Sequence, residues 1–225
     1  MAKTALKALA GEPAVQRICM RDRIRDVLVA RILDGKYPAG TQLKELALAH
    51  EFNVSQAPIR EALRELEGSG LVTSERYRGT RVRGADLQEM SESYELRATL
   101  EVRAVELAIP CAPAVLADLE SCHADMAAAV ARGDSEGYID TAIRLHRRLI
   151  EASGNRVFVT VWDSLHFEVR GRIVLRRMTA KGNNLMPQVK LHRTLLDRIG
   201  ARDVPGAQEI MRRIFDRVFE AFRKE

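Results

Sequence analysis

Residues 53–72, NVSQAPIREALRELEGSGLV, determine how the first part of this chain is expected to fold. Apolar side chains recur at Ile59, Leu63 and Leu66, which is the spacing of a helix that buries one face. Ser55 precedes this pattern as an N-cap residue, whose side chain can accept a hydrogen bond from the first turn. The stretch therefore predicts a helix that begins just after Ser55 and has one buried face.

The exposed face of this predicted helix is polar and basic. Gln56, Arg60 and Arg64 follow one another at helical spacing and point away from the apolar residues. Pro58 lies in the first turn, where its missing N–H costs nothing, so it does not interrupt the helix. A basic helix face is typical of contact with a polyanion, although Arg64 can equally pair with glutamates one turn away.

The charge of the chain is unevenly distributed. Of 36 Lys and Arg and 31 Asp and Glu, residues 1–85 hold 15 basic and 10 acidic side chains, whereas residues 86–225 hold 21 of each. The whole positive excess of +5 therefore lies in the first 85 residues. This distribution predicts that the first part contacts a polyanion and that the neutral remainder has another task.

Length and composition indicate a cytoplasmic protein of two domains. The 225 residues exceed the usual domain length of about 100–150 residues. The longest run without a charged residue, residues 107–117, is far shorter than the roughly 20 residues needed to cross a bilayer. Residues 1–16 lack the apolar core of a secretory signal and are expected to form a flexible tail. The three cysteines have unrelated spacings and predict neither a disulfide framework nor a metal site.

The segments around the 53–72 stretch complete a winged helix-turn-helix plan. An amphipathic helix precedes it and stops at Gly35, and LKELALAHEF forms a short second helix. After the third helix, LVTSER and GTRVR alternate apolar and polar residues about a turn, as a small hairpin does. Residues 17–84 are therefore predicted to bind DNA, with the third helix in a major groove and the hairpin as a wing beside it.

Residues 29–82 resemble the N-terminal domain of GntR-type bacterial transcription regulators. The family hallmark S-R-x-P-[VI]-R-E-A-L is similar to SQAPIREAL, and its wing motif R-G-x-x-V is similar to RGTRV. Gln56 stands where the family has arginine, and glutamine prefers adenine where arginine prefers guanine. Arg60 is expected to contact a base or a phosphate. The resemblance implies DNA-binding residues in the helix and in the wing: Ser55, Gln56, Arg60, Arg64, Arg78, Gly79, Thr80 and Arg81.

Residues 85–225 show a helical pattern throughout and predict an antiparallel bundle. Each predicted helix carries one apolar stripe, and the connections are short. YELRATLEVRAVELA, LHRRLIEASGN and KLHRTLLDRIGARD resemble the all-helical domain of the FadR branch, which implies effector binding and dimerisation. The expected fold class is thus mainly α. The six predicted helices are 86–109, 114–132, 135–153, 155–180, 185–200 and 204–224.

Three polar residues, Arg97, His146 and His192, fall within the apolar stripes of the predicted bundle. Burying such a group unpaired costs about 1–3 kcal/mol, and more for a charge, so they are expected to share partners, a metal or a ligand. Taken singly, each histidine is more often an ordinary core residue. Arg172 lies on the apolar face of its predicted helix. The resemblance implies that these four residues bind the effector, a small organic acid or related metabolite.

A metal site is implied by the resemblance, but its ligands are incomplete. Many FadR-branch proteins hold a divalent metal with one aspartate and three histidines, and the missing two ligands would stand at Ala142 and Ile214. Asp140 lies about 120° around the helix from His146 and is a poor substitute. His146 and His192 remain as metal candidates, and no cofactor is expected to be required.

The predicted function is a homodimeric, ligand-responsive transcription regulator that binds an inverted repeat in DNA. The sequence has no nucleophile motif, oxyanion loop or phosphate-binding glycine motif that would indicate an enzyme. Two alternatives remain open at this point. One is a metal-dependent hydrolytic enzyme that uses the histidines of the bundle, and the other is a protein that coats DNA without sequence preference.

Overall fold

The computed structural model describes residues 20–75, 78–83, 86–180, 182 and 184–223. The tail predicted for residues 1–16 lies outside these ranges, as do residues 76 and 77 of the predicted wing turn and residues 84 and 85 of the predicted joint. The described helices are α1 (Met20–Leu33), α2 (Glu45–Phe52), α3 (Gln56–Gly68), α4 (Leu87–Leu107), α5 (Pro113–Ala131), α6 (Ser135–Ala152), α7 (Arg156–Ser164), α8 (Phe167–Ala180), α9 (Met186–Gly200) and α10 (Val204–Arg223). The described strands are β1 (Gln42–Leu43), β2 (Val72–Glu75) and β3 (Gly79–Val82).

The mainly α fold with a winged helix-turn-helix followed by a helical bundle is confirmed. The wing differs in one respect, because it is a three-stranded antiparallel sheet in the order β1-β3-β2 rather than a hairpin alone. Leu43, which the sequence pattern assigned to the second helix, pairs with Thr80 of β3 and is buried. Lys44 is still extended, so α2 begins only at Glu45.

The recognition helix α3 begins and ends close to the predicted positions. Its buried residues include Ile59, Leu63 and Leu66, and Gly70 beyond its end has a positive φ of 79°. The prediction that the Ser55 side chain caps the helix is wrong. Ser55 occupies the N-cap position with extended backbone, but its side chain makes no capping hydrogen bond.

The predicted helix over residues 155–180 is two helices, α7 and α8. His166 separates them in the left-handed region, with φ 51°, and neither glycine nor proline marks the break in the sequence. Trp162 before the break and Phe167 after it pack edge to face, with ring centroids 5.8 Å apart. Both side chains are buried in one small cluster, so packing accounts for the change of direction.

Helix α8 belongs to two hydrophobic cores. Its residues Val169 and Ile173 pack into the core of the winged domain, whereas Val174 and Leu175 pack into the core of the bundle. In the bundle, α5 packs against α6 and α9, and α10 packs against α4 and α9. Helix α8 therefore joins the two cores, as does α4, whose Met90 packs into the core of the winged domain and Tyr94 into that of the bundle.

Buried arginines tie the winged domain to α8. Arg25 of α1 is only 6 % exposed and places nitrogen atoms 3.2 Å from Glu65 of α3 and 2.9 Å from Glu168 of α8. Arg170 of α8 donates to the carbonyl oxygen of Gly68 at the end of α3 at 3.3 Å and also pairs with Glu89 of α4 at 3.0 Å. Breaking such pairs leaves a buried charge without a partner, so these contacts hold the winged domain in place. None of the described helices is both long enough and apolar enough to span a membrane.

Candidate functional site

The first candidate site is the outer face of α3 together with the wing. Gln56, Arg60 and Arg64 are all exposed on α3, opposite its buried residues. In the wing, β3 alternates, so that Gly79 and Arg81 are exposed while the residues between and after them point inward. The described surface therefore presents cations from two elements that a winged helix-turn-helix directs at DNA.

Arg60 is held by a carboxylate of the neighbouring helix. Its Nε and Nη2 atoms lie 3.2 Å and 3.0 Å from Glu45 Oε2 in the first turn of α2. Arg64 has no ion pair among the described residues, although the sequence offered glutamates one turn away. Of the two arginines on the outer face of α3, Arg60 is thus held by an ion pair.

The second candidate site is a chain of buried polar side chains in the bundle. Arg97 Nε donates to Glu101 Oε1 at 2.6 Å, and the other carboxylate oxygen of Glu101 hydrogen-bonds His146 Nδ1. The Nε2 atoms of His146 and His192 lie 3.2 Å apart, and His192 Nδ1 lies 2.7 Å from the carbonyl oxygen of Gln188. The exposed fractions are 3 % for Arg97, 0 % for Glu101, 7 % for His146 and 2 % for His192.

The hydrogen-bond partners define where the protons are. The carbonyl of Gln188 and the carboxylate of Glu101 only accept, so both histidines carry a proton on Nδ1. Their Nε2 atoms then share a hydrogen bond only if one ring carries a second proton. Burial and the neighbouring His146 lower the pKa of His192 to about 3, so His192 is neutral near pH 7.

Glu101 is the counter-ion of this chain. Burial opposes its ionisation, but the charges and hydrogen bonds of His146 and Arg97 together hold its pKa below the ordinary value. The guanidinium of Arg97 also lies over aromatic rings, 4.7 Å from the centroid of Trp162 and 5.1 Å from that of Tyr94. The cluster is thus an ionised network in an aromatic surrounding.

The cavity beside this network is small. Its volume is about 20 Å³, which is room for about one water molecule. Ala142 and Ile214 line it together with His146 and His192. These two aliphatic residues stand where the resemblance implies metal ligands, and no group of three His, Cys, Asp or Glu converges within the described ranges. The donor set therefore does not fit the metal site of the FadR branch.

Comparison with known families assigns both parts of the chain. Residues 20–82 match the family model described as bacterial regulatory proteins, gntR family, and residues 92–217 match the FCD domain. The chain belongs to the GntR family. This GntR-family protein is a DNA-binding transcription regulator with an FCD effector-binding domain.

Relatives of this GntR-family regulator are named as repressors. It is 28 % identical over 195 residues to a probable D-xylose utilization operon transcriptional repressor of Paenarthrobacter nicotinovorans, covering 87 % of this chain and 85 % of the relative. It is 30 % identical over 145 residues to the gluconate operon transcriptional repressor of Bacillus subtilis, covering 64 % and 59 %. The solved structure of E. coli McbR/YncC has the same fold, with a TM-score of 0.74, 20 % identity and coverage of 92 % and 98 %.

Two predicted site residues of the GntR-family regulator have side chains that do not point into the predicted sites. Thr80 was predicted to bind DNA, but its side chain is buried in β3 and its hydroxyl lies 3.1 Å from Ser74 Oγ. Arg172 was predicted to share the effector site, but it pairs with Asp140 and lies 3.7 Å from Asp26 of α1. The assignment of Arg172 to the effector site assumed one continuous helix over residues 155–180. Because the helix breaks at His166, the periodicity of the residues before the break does not predict the face on which Arg172 lies.

The remaining predicted residues of the wing have local partners. Arg78 lies 3.1 Å from Glu75, and Arg81 donates to the carbonyl of Gly40 at 3.1 Å. Neither Trp162 nor His166 lines the cavity. Trp162 lies under Arg97, and the ring of His166 lies so close to Gly68 that a Cβ there would be 2.2 Å from Nε2.

Glu101 is the functional residue that the sequence analysis missed. It lies four residues after Arg97 on α4, the spacing at which opposite charges pair on a helix. Because Arg97 was expected to face inward, that spacing already placed a carboxylate beside it. Gln188 was missed as well, since the accepting group is its backbone carbonyl and carries no sequence information.

Proposed function

We propose that this regulator acts in the cytoplasm as a homodimer that binds an inverted-repeat operator and responds to a small organic acid held in the bundle. The observation that carries the proposal is that α8 packs both into the core of the winged domain and against the buried network of the bundle. Val169 and Ile173 lie in the core under the recognition helix. Gly171, between them, lies against Arg97, because a Cβ there would be 3.0 Å from Arg97 Nη1. A ligand that moves Arg97 therefore also displaces the element that holds the DNA-binding domain.

An organic acid fits the charge of the buried network. Arg97 supplies a positive charge, Glu101 supplies a negative charge, and His146 hydrogen-bonds the Glu101 carboxylate. A ligand carboxylate can take the place of Glu101 beside Arg97, where its hydrogen bonds are charge-assisted, and can accept from His146 as Glu101 does. Because the cavity measures about 20 Å³, such a ligand enters only if Glu101 or the surrounding aromatic side chains move. This requirement links ligand binding to a change of structure.

We further propose that no metal is required and that the protein is not an enzyme. The alternative of a metal-dependent hydrolase needs at least three protein ligands around an ion. Here Ala142 and Ile214 supply no donor atoms, and Asp140 pairs with Arg172 instead. The relatives named above are described as transcriptional repressors, which supports the same conclusion.

The homodimer and its operator are tested together. The protein should sediment at twice the 25.2 kDa of one chain and should bind a duplex with two inverted half-sites far more tightly than a duplex with one. The operator can be obtained by selection from random duplexes. A monomer in sedimentation, or equal affinity for one and two half-sites, would contradict the proposal. If competitor DNA abolishes binding to every duplex equally, the result would support a protein that coats DNA without sequence preference.

Arg60→Ala should weaken binding to the selected operator by about 1–3 kcal/mol and relax the preference at one base pair, if Arg60 contacts a guanine edge. Dissociation constants on the operator and its single-base variants measure both effects. Arg132→Ala, which removes an exposed cation from the bundle, is the matched control. Equal weakening on every sequence would instead assign Arg60 to a phosphate.

The effector class can be tested with two polyhydroxylated probes suggested by the names of the relatives. Gluconate carries a carboxylate, whereas D-xylose is neutral. Gluconate at about 100 times its dissociation constant should stabilise the protein by about 2.7 kcal/mol, measured by thermal unfolding after calorimetric titration. D-xylose should have a smaller effect because it cannot replace Glu101. Stabilisation by D-xylose alone, or by neither probe, would contradict a sugar acid as the ligand.

A further inference from the structure

We infer that Glu45 is a positioning residue that orients Arg60 for reading a guanine, so that specificity depends on a side chain outside the recognition helix. The inference rests on the proposed contact between Arg60 and a base. Glu45 lies in the first turn of α2, and Arg60 lies one turn into α3. Their contact joins the two helices of the helix-turn-helix motif at the exposed surface.

The contact with Glu45 leaves free the end of the Arg60 guanidinium that would face a base. Glu45 Oε2 takes the side edge of the guanidinium, with Nε at 3.2 Å and Nη2 at 3.0 Å. A guanidinium has five N–H donors in a fixed plane, so the end edge formed by Nη1 and Nη2 still presents two donors. Two parallel donors are what the O6 and N7 acceptors of guanine require in the major groove. The carboxylate therefore directs the end edge of Arg60 without occupying it.

The position of Glu45 suits this role. The N-terminal turn of a helix favours a negative charge, and Glu45 lies in the first turn of α2. Arg60 is 53 % exposed and would otherwise sample many rotamers in the free protein. Holding its guanidinium in one plane before DNA arrives reduces the entropy lost on binding. The ion pair itself is exposed and contributes little to folding, so its removal leaves the fold intact.

Glu61 supplies a matched control. It is an exposed glutamate next to Arg60 in the sequence and has no ion pair among the residues that the structure describes. Glu45→Gln and Glu61→Gln remove the same charge from the same surface. Either change should tighten binding to all duplexes alike through weaker repulsion of phosphates. Only Glu45→Gln should also change which base is preferred.

The experiment measures dissociation constants of the full-length protein at one salt concentration. The probes are the duplex selected from random sequence, its single-base variants and an unrelated duplex. Glu45→Gln should reduce discrimination about tenfold at the one base pair whose preference Arg60→Ala abolishes. It should have no further effect on that preference in the Arg60→Ala background, because the two residues act as one unit. Glu45→Asp should not restore discrimination, since its carboxylate is one methylene shorter.

The outcomes separate this inference from the proposed role of Arg60. If Arg60→Ala changes no base preference, the proposed base contact is wrong, and the role of Glu45 is overturned with it. If Arg60→Ala relaxes one base pair while Glu45→Gln behaves like Glu61→Gln, only the positioning role is overturned. An effect of Glu45→Gln that persists in the Arg60→Ala background would also overturn it. Unchanged unfolding temperatures show that each variant is folded.

Discussion

Glu101→Gln should lower the free energy of unfolding by about 3–5 kcal/mol, the largest effect that we expect from a single substitution. The carboxylate is fully buried and contacts both Arg97 and His146. Glutamine has nearly the same shape, so the change removes the charge rather than the packing. Arg97 then remains buried without its counter-ion. Urea unfolding followed by circular dichroism measures the loss.

Two further variants show whether the loss comes from the network. Glu95→Gln removes an exposed glutamate from the same helix and should have almost no effect. Replacing both partners, Arg97→Met with Glu101→Leu, should cost less than the sum of the two single changes, because neither charge is then left alone. Additive losses, or a change below about 1 kcal/mol for Glu101→Gln, would show that the ion pair is not what stabilises this region.

The free energy of unfolding should decrease by about 1.4 kcal/mol per pH unit as the pH falls below about 6.5, owing to His192 alone. Burial lowers the pKa of His192 to about 3 in the folded protein, whereas the unfolded side chain titrates near 6.5. Between these values the unfolded chain binds a proton that the folded chain does not bind. The stabilising contribution is therefore complete above pH 6.5 and is lost towards pH 3. Two pH units correspond to about 2.7 kcal/mol.

His192→Asn is the variant that isolates this effect. The asparagine amide can still donate to the Gln188 carbonyl, but it does not titrate. Between pH 6.5 and 5, where carboxylates remain ionised, the free energy of unfolding of this variant should decrease less steeply than that of the parent. The difference in slope corresponds to one proton. His166 also has a pKa lowered by burial and contributes in the same direction in both proteins. Parallel curves for the variant and the parent would contradict the assignment.

The features that the sequence predicted correctly are those specified by residues close together in the chain. The buried face of α3 follows from apolar residues three and four positions apart, and the wing strands follow from alternation over four residues. The inward positions of Arg97, His146 and His192 follow from the same periodicity and are buried in the structure. Local spacing is enough to predict these features because the repeat of apolar residues determines which face of a single helix or strand is buried.

The features that only the tertiary structure decided depend on contacts between residues distant in the chain. His146 meets Glu101 across 45 positions, and Arg25 meets Glu168 across 143. The break at His166 carries no glycine or proline, because packing of Trp162 on Phe167 produces it. Periodicity alone thus placed the polar side chains in the interior. Glu101 lies beside Arg97 through local spacing, but the contacts of Glu101 with His146 and of Arg25 with Glu168 depend on how the helices pack, and no local pattern encodes that arrangement.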